Sequence, residues 1–344
     1  MLDDLKYIHE RDAQDALGNV AKQWQQLKYE FEVDWQPKEG IHSIAVGGMG
    51  GSALAATILY TWPQTTVPLE VIRNYDLPPS INEATLFIAS SYSGNTEETL
   101  EALTQAESRH CQILVIAAGG KLAQKATERS YPLFSIPSGL QPRMAVFYNL
   151  SALLHILDKT GLSSVTNGVA ELRAGADWLK GQIDSWLVEP PTANNRAKQI
   201  AQELMGKSVV MYGGPLMYPA AYKWKINFNE NSKHIAWVGQ YPEFNHNEFL
   251  GWTKQPVDKP YGVIDLRSNL ENARVQKRFV VSERLLSGMR PAPIVINAEG
   301  DNILQQLLWV ITLGDFVSVY LSLLSNLNPT PVDLIEKFKA EMAK

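Results

Sequence analysis

Hydroxyl groups crowd the run SYSGNTEET, Ser91–Thr99, which follows the short apolar segment TLFIAS, Thr85–Ser90. Ser, Gly, Asn and Thr favour turns and helix N-caps, and Thr96 before Glu97, Glu98 and Thr99 resembles a capping box. A capped turn uses one or two of these polar groups. The others leave hydroxyls and backbone N–H groups converging on a helix start, where anions bind. Taken alone, the stretch fits either a plain capped turn or a phosphate cradle.

A second glycine-rich run, GGMGGSA at Gly47–Ala53, carries the spacing G-x-G-x-x-A at Gly48, Gly50 and Ala53, with Glu70 further on. By the letter this is a dinucleotide fingerprint, and equally it is what a tight strand-to-helix turn needs. The hydroxyls of Ser91, Ser93 and Thr96 favour a third reading, a compact phosphorylated ligand. Arg143, in SGLQPRMA, is either a solvated surface arginine or a cation that stabilises a developing oxyanion. In NFNENSKHIAWVGQYPEFNHNE, Asn227–Glu248, Glu230 and His246 sit among asparagines. A carboxylate and an imidazole suit acid–base chemistry; their spacing matches no HExxH-type metal signature, so no metal is expected. His9, His42, His110, His155 and His234 are less suggestive. On the terminal segment Val332, Ile335, Phe338 and Met342 form an apolar helical face, with Lys339 on its flank and Lys337 pointing away. Lys339 either reaches inward or snorkels to solvent.

The elements that must position these residues follow from periodicity. Residues 1–30 repeat apolar positions at helical spacing. Ile41–Val46, Pro68–Ile72, Thr85–Ser90, Gln112–Ala117 and Tyr131–Ile136 then read as strands separated by helix-length stretches. Such alternation indicates a doubly wound parallel sheet, whose ligands bind at the carboxyl ends of the strands. Both loops fall at that edge. Residues 161–200 read as a helical connector broken at Pro190 and Pro191. A second alternating set follows at Ser208–Tyr212, His234–Val238, Tyr261–Leu266, Arg278–Val281 and Pro293–Asn297, with Gly213 and Gly214 after its first strand. Asn302–Leu324 is a buried helix or covers a subunit interface, and Val332–Ala343 is an amphipathic helix. The expectation is an α/β chain of two domains, 1–160 and 161–344.

Composition agrees with two ordinary cores: 344 residues, 45% of them hydrophobic. A net charge of -5 argues against nucleic acid or an anionic membrane as the main partner. Cys111 is the single cysteine, so no disulfide framework or thiolate metal cluster exists. No run approaches the roughly 18 apolar residues of a membrane helix, and a cytoplasmic protein is expected.

In family order, GMGGS (Gly48–Ser52), SYSGNTEET, QPRMA, NENSK and FNHNE resemble the bifunctional phosphoglucose/phosphomannose isomerases, built from two sugar isomerase (SIS) domains of flavodoxin-like fold with a C-terminal helix closing the site. The resemblance implies that Gly51, Ser52, Ser91, Ser93 and Thr96 hold the phosphate of a hexose 6-phosphate. It further implies that Glu230 moves a proton between C1 and C2 through a cis-enediol, that Arg143 stabilises the enediolate, and that His246 helps open the sugar ring. In the family that histidine comes from the neighbouring subunit, which implies a homodimer, and Lys339 matches the lysine of the last helix. No cofactor, metal or nucleotide is implied. Two other classes stay open, a non-catalytic SIS sugar-phosphate-binding module and a nucleotide-dependent oxidoreductase; the pair Glu230 and His246 favours an enzyme.

Overall fold

The computed structural model describes residues 1–254 and 261–342. Two compact units make up the chain: Lys22–Lys180, and Met1–Ala21 together with Gly181–Lys344. The first 30 residues, expected to be helical, divide into α1 (Leu5–Arg11), α2 (Ala16–Ala21) and a 3-10 turn at Gln23–Lys28. Asp12 makes the first break. Its backbone N–H ends α1 on Ile8 O, and its carboxylate accepts from the N–H groups of Ala16 and Leu17 at 2.7 and 2.9 Å.

The 22–180 unit runs β1 (Ser43–Gly47), α3 (Gly50–Ile58), β2 (Leu69–Ile72), β3 (Thr85–Ser91), α4 (Glu97–Ser108), β4 (Gln112–Ala117), α5 (Gly120–Arg129), β5 (Leu133–Ser135), α6 (Val146–Thr160) and α7 (Gly168–Lys180). All strand pairs are parallel, in the order β2-β1-β3-β4-β5. Every residue of β3 and β4 is buried, because helices cover both faces of the sheet and only apolar runs tolerate that. The winding direction reverses between β1 and β3, which opens a crevice at their carboxyl ends.

The other unit adds α8 (Arg196–Leu204), β6 (Ser208–Gly213), α9 (Tyr218–Glu230), β7 (Ala236–Gln240), α10 (Glu248–Gly251), β8 (Tyr261–Arg267), α11 (Ala273–Leu285), β9 (Ile294–Asn297), α12 (Ile303–Leu324) and α13 (Asp333–Met342). Its parallel sheet has the order β7-β6-β8-β9, the same winding with one strand fewer. β6 ends at Gly213 as β1 ends at Gly47.

Several expectations are corrected. Arg278–Val281 is not a strand but part of α11, where Val275, Phe279 and Ser282 share the buried face and Val280 is exposed. The boundary expected at 160 lies at 180, because α7 packs on α6 and on the 23–28 turn; the first 21 residues belong with the later half, where α2 packs on α12. Contrary to the run-length expectation, α12 is long and apolar enough to cross a membrane; here it is a core helix, buried at every residue from Gln306 to Leu323. The last helix forms as α13, and Ala343, part of its expected span, lies outside the described residues.

The loop from β6 into α9 carries its own acceptor. Glu271, 5% exposed, accepts the N–H of Leu216 at 2.7 Å. A Cβ on Gly214 would stand 2.2 Å from the same carboxylate oxygen, so only glycine leaves room for it. Burial pushes the Glu271 carboxyl above the usual carboxylate range, and the N–H groups of Leu216 and Met217 oppose the shift. A carboxyl raised in the folded state contributes stability that is full below its unfolded value and is lost as pH rises through the folded one. Between about pH 4 and about pH 7, the melting temperature of Glu271→Gln should therefore improve relative to wild type as pH rises. Parallel melting curves over that range check the sign, and a difference independent of pH contradicts it.

Candidate active site

Three loops meet at the carboxyl edge of the first sheet. β1 hands over to α3 through Gly48 and Met49, with Gly50 in the left-handed region at φ +49°. A Cβ on Gly48 would lie 2.8 Å from Ser90 O, and one on Gly51 would lie 2.5 Å from Pro142 O. These glycines let the β1 loop touch the end of β3 on one side and the Pro142–Met144 turn on the other. Ser52, 4% exposed, accepts the backbone N–H of Tyr92 at 3.1 Å, which ties the first loop to the second.

Within the second loop the Ser91 and Thr96 hydroxyls lie 2.7 Å apart, and Ser91 Oγ accepts the N–H of Gly94 at 3.1 Å. Thr96 occupies the N-cap of α4 without a side-chain capping bond, so the capping-box reading fails: its hydroxyl faces Ser91 instead. Ser93 is exposed and accepts the N–H of Asn95 at 3.3 Å. The loop is braced from behind by the turn after β4. Asn95 Oδ1 accepts the N–H of Lys121 at 3.1 Å, and Gly94 O accepts that of Leu122 at 2.9 Å. Gly94 sits at φ +68°, and a Cβ there would fall 1.8 Å from Gly119 O.

Arg143 is 1% exposed, which discards the solvated-surface reading. Its guanidinium donates to Gln141 Oε1 at 3.5 Å, and its turn is held by Gln26, which donates to Met144 O at 2.8 Å. Sequence reasoning passed over Tyr92, although it stands inside the quoted motif. Its hydroxyl donates to Pro137 O at 2.9 Å and accepts the N–H of Leu140 at 2.8 Å, so it locks the segment leading to Arg143. An aromatic residue in a serine turn, with Gly119-Gly120 after the next strand, was the available signal. Gly51, Ser52, Ser91, Ser93, Thr96 and Arg143 thus belong to one interlocked set of loops whose bonds and turns suit an anion at a helix start.

In the other unit Glu230 is the last residue of α9 and half-buried. The segment around it is tightly tied. Ser232 Oγ donates to Phe228 O at 2.9 Å, Asn231 Nδ2 to Ser318 Oγ at 2.9 Å, and Asn229 Nδ2 to Lys225 O at 2.8 Å. His246 ends the 3-10 turn Glu243–His246 and is exposed, while Tyr241 and Phe244 beside it are fully buried against Tyr212. Tyr212 also donates to Glu248 Oε1 at 2.5 Å, so the histidine is displayed on a loop anchored at both ends. Lys339 lies on α13, where no residue is buried, and pairs with Glu336 at 2.8 Å. Among the described residues no group of three or more His, Cys, Asp or Glu gathers into a metal-binding set.

The model of the family described as "Bacterial phospho-glucose isomerase C-terminal SIS domain" matches residues 193–342. A bifunctional phosphoglucose/phosphomannose isomerase of Aquifex aeolicus is 32% identical over 90% of this chain and 92% of its own length. Another of the same name, from Caldicellulosiruptor bescii, is 33% identical over 89% and 91%. Among solved structures, a glucose-6-phosphate isomerase like protein from Thermus thermophilus superposes with a TM-score of 0.65 over 98% of both chains at 16% identity, a likeness of fold. Identity sustained at the level of the first two relatives, over nearly the whole of each chain, turns the resemblance of the motifs into kinship, and the chain belongs to the bifunctional phosphoglucose/phosphomannose isomerase family, as a sugar-phosphate isomerase.

Proposed function

We propose that the protein interconverts glucose 6-phosphate and mannose 6-phosphate with fructose 6-phosphate through a cis-enediol intermediate. The observation that carries the reading is the interlocking of Gly51, Ser52, Ser91 and Thr96 with the buried Arg143 turn at the ends of β1 and β3. Such a set accepts a phosphate on N–H and O–H donors, and a buried guanidinium stabilises negative charge on an enediolate oxygen. In this reading Glu230 removes the weakly acidic proton beside the carbonyl and returns it to the neighbouring carbon. His246 assists ring opening, and its exposed position supports delivery to the site of a second copy, which makes the enzyme a homodimer. Lys339, on a helix α13 that closes the site, assists in the same step. The buried, unpaired Cys111 agrees with a cytoplasmic location.

Three measurements test this. With the three hexose 6-phosphates as substrates, Ser93→Ala combined with Thr96→Val should raise KM at unchanged thermal melting, since each hydrogen bond lost to a charged group costs roughly 1.5–3 kcal/mol. An unchanged KM removes the cradle assignment. Glu230→Gln should lower kcat by about 10² to 10⁴ while KM survives, and a wild-type rate rejects the base. If His246 serves the partner's site, mixing inactive His246→Ala with inactive Glu230→Gln under subunit exchange should restore about a quarter of wild-type activity. Verified exchange without recovery overturns the shared site.

A further inference from the structure

α9, the helix that ends at Glu230, meets α12 along a polar seam buried inside an otherwise apolar contact. On α9 and at its C-cap, Lys223, Asn227 and Asn231 recur at intervals of four; on α12, Asp315 and Ser318 face them. Lys223 and Asp315 are 1% and 0% exposed and form an ion pair. Asn227 joins both, accepting from Lys223 Nζ at 2.7 Å and donating to Asp315 Oδ1. Ser318, which accepts from Asn231, donates in turn to Asp315 O at 2.9 Å. One turn earlier on α12, Trp224 Nε1 donates to Val310 O at 2.7 Å, and its indole lies where a Cβ on Gly314 would stand, 2.1 Å from Nε1.

Adhesion does not explain this seam. The attraction of a buried ion pair roughly cancels the cost of desolvating its two charges, and apolar residues of similar volume hold two helices together at least as well. What apolar packing lacks is direction. A rotation of α9 by one residue about its axis, about 100°, keeps it greasy against α12 but swings its terminal side chain to another face. Hydrogen bonds between named atoms at Trp224, Asn227 and Asn231 do not survive such a rotation. Glu230 stands about two turns beyond Lys223 at nearly the same phase, so the seam that fixes Lys223 also fixes the direction in which Glu230 leaves the helix.

We infer that Lys223, Asn227 and Asp315 are positioning residues for Glu230: their buried bonds set the rotation and register of α9 on α12, and through them the aim of the carboxylate. This rests on the proposed role of Glu230 as the base. The seam touches no substrate in this account, and it acts through helix placement.

The test compares two neutral replacements of the seam. Lys223→Met with Asn227→Leu and Asp315→Leu keeps volume and removes direction. Lys223→Gln with Asp315→Asn removes both charges and keeps hydrogen-bonding groups. The apolar variant should melt at or above the wild-type temperature with unchanged KM for fructose 6-phosphate, yet lose at least about tenfold in kcat; the polar variant should stay within about threefold of wild type. A folded apolar variant with wild-type kcat overturns the inference, as does an equal fall in both variants. Should the apolar variant fail to fold, Asn231→Leu with Ser318→Ala removes the bond beside Glu230, leaves the ion pair in place and is judged by the same kcat criterion. Glu230→Gln measured alongside separates the two levels: if it is fully active the base assignment falls and the inference with it, whereas an inactive Glu230→Gln beside a fully active apolar variant rejects the inference alone.

Discussion

Each parallel strand that runs into a helix delivers a row of unpaired backbone N–H groups to one edge of the sheet, and those groups demand an acceptor. Much of this protein follows from how that demand is met. At the end of β3 the loop is shaped by its own hydroxyls and braced by the turn after β4, so the donors are held in position before any ligand arrives. Glycine is required where loops press backbone to backbone, as at Gly94 against Gly119 and Gly51 against Pro142. Neither contact admits a side chain without moving a main chain.

The loops gain their rigidity from buried polar groups with assigned partners. Tyr92 spans from the β3 loop to the segment before Arg143, and Gln26 grips the Arg143 turn from below. A satisfied polar group in low dielectric specifies one arrangement where apolar contact alone permits several. The same logic recurs in the second sheet's unit, where Tyr212 receives the indole N–H of Trp252 and donates to Glu248, holding the loop that displays His246.

Much of this was legible in the sequence, for a physical reason. Strands covered on both faces are short unbroken apolar runs, and β3, β4, β6 and β8 were found within a residue of their ends. Arg278–Val281 misled because two adjacent valines mimic a strand, while the deciding feature, burial of Phe279 together with Val275 one turn earlier, needs a residue outside that window. The site loops announced themselves by composition. Burial of Arg143 did not, because it depends on Gly51 packing against a turn far along the chain. The ion pair of Lys223 with Asp315 was invisible for the same reason: nothing local to either residue signals the other. Helical phase says which side of α13 Lys339 takes but nothing about what covers a helix, and α13 has no buried residue.

The two sheets share a winding and part company at the first helix start. Where the loop after β1 is left to glycines and a serine, the loop after β6 is closed by Glu271, an acceptor supplied from the loop between β8 and α11 and admitted by Gly214. An acceptor tethered to the chain has no dissociation constant. The helix that begins there is therefore anchored at full occupancy in every molecule, whatever solutes surround it, and an anion approaching the same N–H groups meets a seat already taken. A duplicated architecture has in this way lined one helix start with glycines and hydroxyls and made the other a permanent fixture of the chain, which helps hold α9 in one orientation.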